Sequence, residues 1–102
     1  MTAIGELYII SEGPEGPVKI GRSISAKSRL SSLQTGNSRP LTILAAYSMP
    51  ADQVIEAETI LHEELEYRAL IGEWFGLSER FMKVYMPDFF LANGFEVVKR
   101  HG

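Results

Sequence analysis

The chain has 102 residues, of which 45% are hydrophobic, and its net charge at pH 7 is −3. This length is typical of one domain whose core needs no disulfide bonds. The absence of cysteine excludes disulfides, thiolate metal sites and cysteine nucleophiles. No segment has basic residues followed by a long apolar run, which is the pattern of a signal peptide or a membrane span. We therefore expect no signal peptide, no contact with a membrane and a cytoplasmic location.

The charges are unevenly distributed along the chain. The segment from Asp52 to Glu66 contains acidic residues and neither lysine nor arginine, whereas no acidic residue falls between positions 16 and 51. This pattern predicts a basic, phosphate-facing lobe followed by an acidic helix, although an ordinary solvated surface has the same composition. The basic residues of the lobe are Lys19, Arg22, Lys27, Arg29 and Arg39.

The first two elements predict a β-hairpin. Glu6–Ile10 is short and rich in β-branched and aromatic residues, and turn residues at 12–17 separate it from Val18–Gly21. Alternation places the apolar residues on the core face and Tyr8 with Lys19 on the other face. A lysine ammonium beside a phenol would lower the pKa of Tyr8 and make it a better proton acceptor. By itself, the pattern favours a plain amphipathic hairpin over this role for Tyr8 and Lys19.

A helix, a strand and a longer helix follow the hairpin. Ala26–Gln34 is predicted as a helix that Ser23 or Ser25 caps. Leu41–Tyr47 is the third predicted strand. The next helix is predicted over Ala51–Arg68, because a proline precedes it and an aspartate lies in its first turn.

The last third of the chain predicts one more helix. Gly72–Phe75 is expected to be a short extended or turn segment, and Ser78 to cap a helix that runs to Asn93 and is kinked or split at Pro87. Phe95–Val98 is a candidate short strand at the end. Without it, the order β-β-α-β-α-α predicts an α+β fold with a three-stranded antiparallel sheet flanked by helices.

Glu58 is the most informative residue of the long helix. Helical periodicity places its carboxylate within an apolar stripe, where a metal ion, an arginine or a hydrogen-bond network must compensate the charge. An ion pair with Arg22 or Arg29 is one interpretation. A metal ion shared with His62, one turn later, is another, although a single helical histidine is more often a packed residue. The apolar residues of this stripe are Val54, Ala57, Leu61 and Leu65.

Arg29 lies beside the inner face of the first predicted helix. An arginine at the edge of a core can hold a phosphate through its fork of donors. A salt bridge to Glu58 would explain its position equally well. The inner face is formed by Ala26, Leu30 and Leu33.

Five short blocks together resemble the GIY-YIG endonuclease superfamily, in particular its small phage-type and meiotically-up-regulated-gene-type subgroup. Tyr8, in the block Leu-Tyr-Ile-Ile, is similar to the tyrosine of the GIY motif. Val18–Gly21 resembles the YIG motif with Lys19 in place of its tyrosine. The other blocks are Arg22 with Arg29–Leu33, Glu56–His62, and the Gly-Glu-Trp-Phe signature at Gly72–Phe75.

The resemblance implies one GIY-YIG-like nuclease domain over residues 1–102, from a phage or mobile element, that hydrolyses DNA phosphodiester bonds. One Mg²⁺ or Mn²⁺ would be held by Glu58, and Arg29 would stabilise charge on the scissile phosphate. Tyr8 would act as the base that activates water, or orient it. The other implied residues are Lys19, Arg22 and His62 for catalysis, and Lys19, Arg22, Lys27, Arg39 and Glu73 for substrate binding.

Two other functions stay open at this point. A catalytically weak or inactive nucleic-acid-binding module would explain the lysine at position 19. A protein-interaction module would use the aromatic residues of the last third, and either a homodimer or a DNA-targeting partner protein would fit. These aromatic residues are Trp74, Phe75, Phe81, Tyr85, Phe89 and Phe90.

Overall fold

The computed structural model describes residues 3–101, which form five β-strands and three α-helices. The strands are β1 (Ile4–Ser11), β2 (Val18–Ser23), β3 (Thr42–Pro50), β4 (Trp74–Phe75) and β5 (Val98–His101). The helices are α1 (Ala26–Thr35), α2 (Ala51–Glu64) and α3 (Glu79–Asn93). The strands form one antiparallel sheet in the order β4-β2-β1-β3-β5. The α+β class and the antiparallel sheet are confirmed.

The prediction of three strands in the order β-β-α-β-α-α is wrong, because two short strands lie at the edges of the sheet. β4 has two residues and pairs with β2, and β5 pairs with β3. The final strand begins at Val98, not at Phe95. All four residues of β5 are exposed, so no apolar alternation marks it in the sequence. Both strands therefore form only by pairing with the free edge of a strand that is distant in the sequence.

The helix ends agree with the sequence signals except at the end of α2. The Ser25 hydroxyl accepts the amide of Ser28, and the Ser78 hydroxyl accepts the amide of Phe81. α2 ends at Glu64, and a separate 3-10 turn, Glu66–Arg68, replaces its predicted last turn. α3 is not split at Pro87. No helix within residues 3–101 is both long and apolar enough to cross a membrane.

The sheet has a buried cluster on each face. Leu7, Ile9, Val18 and Ile20 contribute to the larger core with residues from α2 and α3. Tyr8 lies on the opposite face with Ile10 and Ala26, against α1. The predicted core face of the hairpin is confirmed. Because α1 covers the second face, Tyr8 is also buried, with 1% of its surface exposed.

Leu61 tests the packing of α2 against the sheet. Its side chain is completely buried in the larger core. We expect Leu61→Ala to lower the free energy of unfolding by about 2–5 kcal/mol, because the cavity it leaves cannot close fully. Ile55→Ala on the same helix, where the side chain is 48% exposed, should cost less than about 1 kcal/mol. Urea titration measures both free energies of unfolding, and equal losses in the two variants would show that Leu61 does not pack in the core.

Candidate active site at the edge of strand β2

Glu58 is held at the interface between α2 and the sheet. Its side chain is 14% exposed, and Oε1 lies 3.5 Å from Nε of Arg22 at the end of β2. Its other oxygen, Oε2, is buried without a hydrogen-bond partner among the described residues. An unpartnered buried carboxylate oxygen is costly, so the single arginine contact leaves this charge incompletely compensated.

His62 lies one turn after Glu58 and is fixed by the sheet. Its Nε2 is 2.8 Å from the carbonyl oxygen of Ile20, and its ring packs edge-on against Phe75 at 5.1 Å. Because a carbonyl oxygen only accepts hydrogen bonds, Nε2 carries the proton and donates it. In a neutral imidazole, Nδ1 then keeps its lone pair, which is how metal-binding histidines are commonly oriented.

Glu73 reaches the same place from the segment before β4. Its carbonyl oxygen accepts the amide of Ile20 at 3.1 Å, and its Oε1 lies 3.3 Å from Nζ of Lys19. Lys19 is buried, and its ammonium lies 5.7 Å from the centre of the Trp74 ring. Cross-strand pairing places Lys19 directly opposite Trp74. The short strand β4 therefore fixes both a carboxylate and its cation.

Glu58, His62 and Glu73 together form a potential metal centre, called here the acidic cluster. One ligand atom from each of these side chains lies within 4.8 Å of the others. Two carboxylates and one imidazole suit a divalent ion such as Mn²⁺, and carboxylates with water suit Mg²⁺. The buried Oε2 of Glu58 points to the same conclusion, because it is an acceptor without a hydrogen-bond partner among the described residues. The residues present fit a divalent cation.

Tyr8 approaches the acidic cluster across a glycine. Tyr8 on β1 is paired with Gly21 on β2. A Cβ atom at position 21 would lie 2.6 Å from Cζ of Tyr8 and 3.1 Å from Oε1 of Glu73, and it would also overlap the Tyr8 hydroxyl. The missing side chain at Gly21 is therefore the space through which the hydroxyl passes to lie beside Glu73. Glycine within a strand often marks such a close approach.

α1 brings Arg29 to the same hydroxyl. The Glu6 carboxylate accepts the amide of Ala26 at 2.7 Å, which satisfies a free donor at the start of α1 and joins the helix to β1. Burial raises the pKa of Tyr8 above its ordinary value, and the Arg29 guanidinium acts in the opposite direction. The expected lowering of this pKa by Lys19 is wrong, because Tyr8 is buried and the Lys19 ammonium contacts Glu73 instead.

One protein family matches most of the chain. The T5orf172 domain matches residues 5–86, a range that contains Tyr8, Arg29, Glu58 and Glu73. The chain belongs to the T5orf172 domain family. This phage-type, nuclease-associated domain is compatible with a nuclease-like or DNA-binding module. Neither the curated proteins nor the solved structures gave a match.

The T5orf172 domain brings most of the sequence-predicted site residues together, but not all of them. Seven of them meet at the edge of β2 through the contacts described above: Tyr8, Lys19, Arg22, Arg29, Glu58, His62 and Glu73. Lys27 lines a separate depression beside Leu30 and Gln34, and Arg39 is exposed in the loop before β3. Within residues 3–101, Arg22 and not Arg29 forms the ion pair with Glu58.

Two residues of this site were not identified from the sequence. The sequence marks Gly21 only as part of a motif, although a glycine within a predicted strand is itself a signal of close packing. The sequence places Trp74 in an aromatic group and in the Gly-Glu-Trp-Phe signature, and nothing in it indicates that Trp74 faces Lys19. That contact depends on the pairing of β2 with β4, which joins residues distant in the sequence.

The charge of Glu58 should destabilise the T5orf172 domain in the absence of metal. Burial and the nearby Glu73 raise the pKa of Glu58 above its ordinary value of 4.5, despite opposing contributions from His62 and Arg22. A raised carboxyl pKa favours the protonated folded state, so stability is lost as pH rises from 4.5 through the folded pKa.

We therefore expect Glu58→Gln to melt a few degrees above wild type at pH 8 in EDTA. At pH below the ordinary value of 4.5, where Glu58 is protonated in both states, the difference should disappear. Thermal unfolding followed by circular dichroism across this pH range measures it. A variant that melts below wild type at pH 8 would show that the Arg22 contact outweighs the cost of burial.

Proposed function

We propose that this T5orf172 domain is a metal-dependent DNA endonuclease of the GIY-YIG type. The observation that carries the proposal is the acidic cluster, with its unpartnered buried oxygen, beside a tyrosine and an arginine. Phosphodiester hydrolysis needs positioning of the reacting groups and neutralisation of charge on the phosphate, and these residue types supply both.

Glu58 is the proposed main ligand of one Mg²⁺ or Mn²⁺, with His62 and Glu73 contributing directly or through water. A bound divalent ion would neutralise charge that develops on the scissile phosphate and polarise its oxygen atoms. The hydrogen bond from His62 to Ile20 holds the imidazole in one orientation. Lys19, fixed against Trp74, keeps the Glu73 carboxylate in place.

Arg29 and Tyr8 are the proposed residues that act on the substrate. Arg29 is an exposed residue of α1, and its guanidinium is the proposed donor to phosphate oxygens. Because its pKa is raised by burial, the Tyr8 hydroxyl is protonated at neutral pH. Its proposed role is therefore to orient the attacking water by hydrogen bonding, and not to remove the proton as a phenolate. Arg22, whose side chain is 51% exposed at the end of β2, is the proposed contact for an adjacent phosphate.

Nicking of supercoiled plasmid in Mg²⁺, Mn²⁺ or EDTA tests the proposal. Wild type should nick only with metal, and Arg29→Ala should reduce the rate about 10²-fold, because a donor to the charged transition state is lost. Arg29→Lys, which keeps the charge without the fork, should recover only part of the rate. Nicking that persists in EDTA would indicate a contaminating nuclease, and nicking unchanged in Arg29→Ala would show that Arg29 takes no part in the reaction.

A DNA-binding module without cleavage is the second candidate. Lys19 stands where the resemblance places a second tyrosine, and its ammonium contacts Glu73, a proposed member of the metal centre. Salt-sensitive binding to a DNA duplex, together with no cleavage in either metal, would favour this alternative.

A further inference from the structure

Both carboxylates of the acidic cluster already contact a cation. Arg22 Nε lies 3.5 Å from Glu58 Oε1, and Lys19 Nζ lies 3.3 Å from Glu73 Oε1. The two negative charges of these carboxylates and the two positive charges of their partners cancel. Adding a divalent cation would leave an excess of two positive charges around a carboxylate that is largely buried. A divalent cation is therefore bound well only if a positive group leaves or an anion arrives.

Lys19 and Arg22 differ in how easily each can move away from its carboxylate partner. Lys19 is buried at 8% exposure, and it lies over the Trp74 ring within the pairing of β2 with β4. The Arg22 side chain is 51% exposed. Its contact with Glu58 is a single long one through Nε, without the two parallel hydrogen bonds that make an arginine–carboxylate pair strong. Arg22 can therefore rotate into solvent at low cost, whereas Lys19 cannot.

We propose that Arg22 is an exchangeable partner of Glu58 that couples metal binding to DNA binding. When a divalent cation binds Glu58, Arg22 is released and contacts a phosphate of the DNA beside the cluster. The phosphate charge offsets the excess positive charge of the occupied cluster. This inference rests on the proposed function, and it assigns a positioning role to Arg22 in the association of metal and substrate.

The coupling must be reciprocal. If DNA raises the affinity of the acidic cluster for metal, metal raises the affinity for DNA by the same factor, because both describe one thermodynamic cycle. The domain would then bind each partner weakly alone and both tightly together. With a net charge of −3, the chain has little non-specific attraction for DNA, so an affinity that depends on metal would help to select productive complexes.

Calorimetric titration with Mn²⁺ tests this coupling, in the presence and in the absence of a DNA duplex. The duplex carries phosphorothioate linkages, which keep the negative charge. For wild type, the duplex should tighten Mn²⁺ binding about tenfold. Arg22→Gln should bind Mn²⁺ more tightly than wild type without DNA and should lose most of the tightening that DNA causes. Arg22→Lys should restore much of the wild-type behaviour. Arg80→Gln, an exposed position on α3, is the control for an equal change in net charge.

The outcomes separate this inference from the proposed function. Mn²⁺ binding that depends on Glu58 but is unchanged or weaker in Arg22→Gln would overturn the exchange alone. An equal effect of Arg80→Gln would also overturn it, because general electrostatics would then explain the result. No Glu58-dependent Mn²⁺ binding, with or without DNA, and no plasmid nicking would overturn the proposed function and the exchange together.

Discussion

Glu58→Gln is expected to reduce metal-dependent DNA cleavage by at least about 10³-fold, since the proposed metal contribution amounts to several kcal/mol. Glutamine keeps the size of the side chain and removes the charge that would attract a divalent ion. Mn²⁺ should raise the melting temperature of wild type by binding the folded state, and it should have no such effect on the variant. Plasmid nicking and thermal unfolding with added Mn²⁺ measure the two effects.

The stability of this variant makes the result interpretable. Because the pKa of Glu58 is raised, Glu58→Gln is expected to be at least as stable as wild type at neutral pH. Lost cleavage could then not be attributed to unfolding. Glu56→Gln, an exposed glutamate on the outer side of α2, is the matched control and should retain full cleavage and the Mn²⁺ effect. If both variants cleave like wild type, the metal centre is placed wrongly.

Gly21→Ala is expected to impair both the fold and the site. The new Cβ atom would lie 2.6 Å from Cζ of Tyr8, which is closer than nonbonded carbon atoms can approach. Tyr8 is buried and cannot move away freely, so overpacking should cost about 1–3 kcal/mol of stability. Displacement of the hydroxyl from Glu73 should lower the cleavage rate about 10²-fold. Urea unfolding and plasmid nicking measure these effects.

Two further variants separate the causes. Gly36→Ala places the same methyl group where nothing lies within 4 Å and where φ is −99°, so it should leave stability and cleavage nearly unchanged. Tyr8→Phe removes only the hydroxyl and should lower cleavage with little loss of stability. If Gly21→Ala behaved like Gly36→Ala, the close approach of Tyr8 across β2 would not matter to the protein.

The sequence was most informative where the signal is local. Alternation in the hairpin predicted its core face, because side chains on a strand point to opposite sides in turn. Serine residues predicted the starts of α1 and α3, since their hydroxyl groups accept amides within three residues. Helical periodicity identified Glu58 as a carboxylate in an apolar stripe, and the low exposure of its side chain agrees with that prediction.

Tertiary structure decided the rest, because the relevant contacts join residues distant in the sequence. The two edge strands lie outside the three that the element order predicted, and each needs the free edge of a strand formed elsewhere. Periodicity alone left both Arg22 and Arg29 as partners of Glu58, and within residues 3–101 the ion pair is formed by Arg22 at the end of β2. Burial then reversed the expected shift in the pKa of Tyr8, since desolvation depends on the packing of α1 over the sheet and not on neighbours in the sequence.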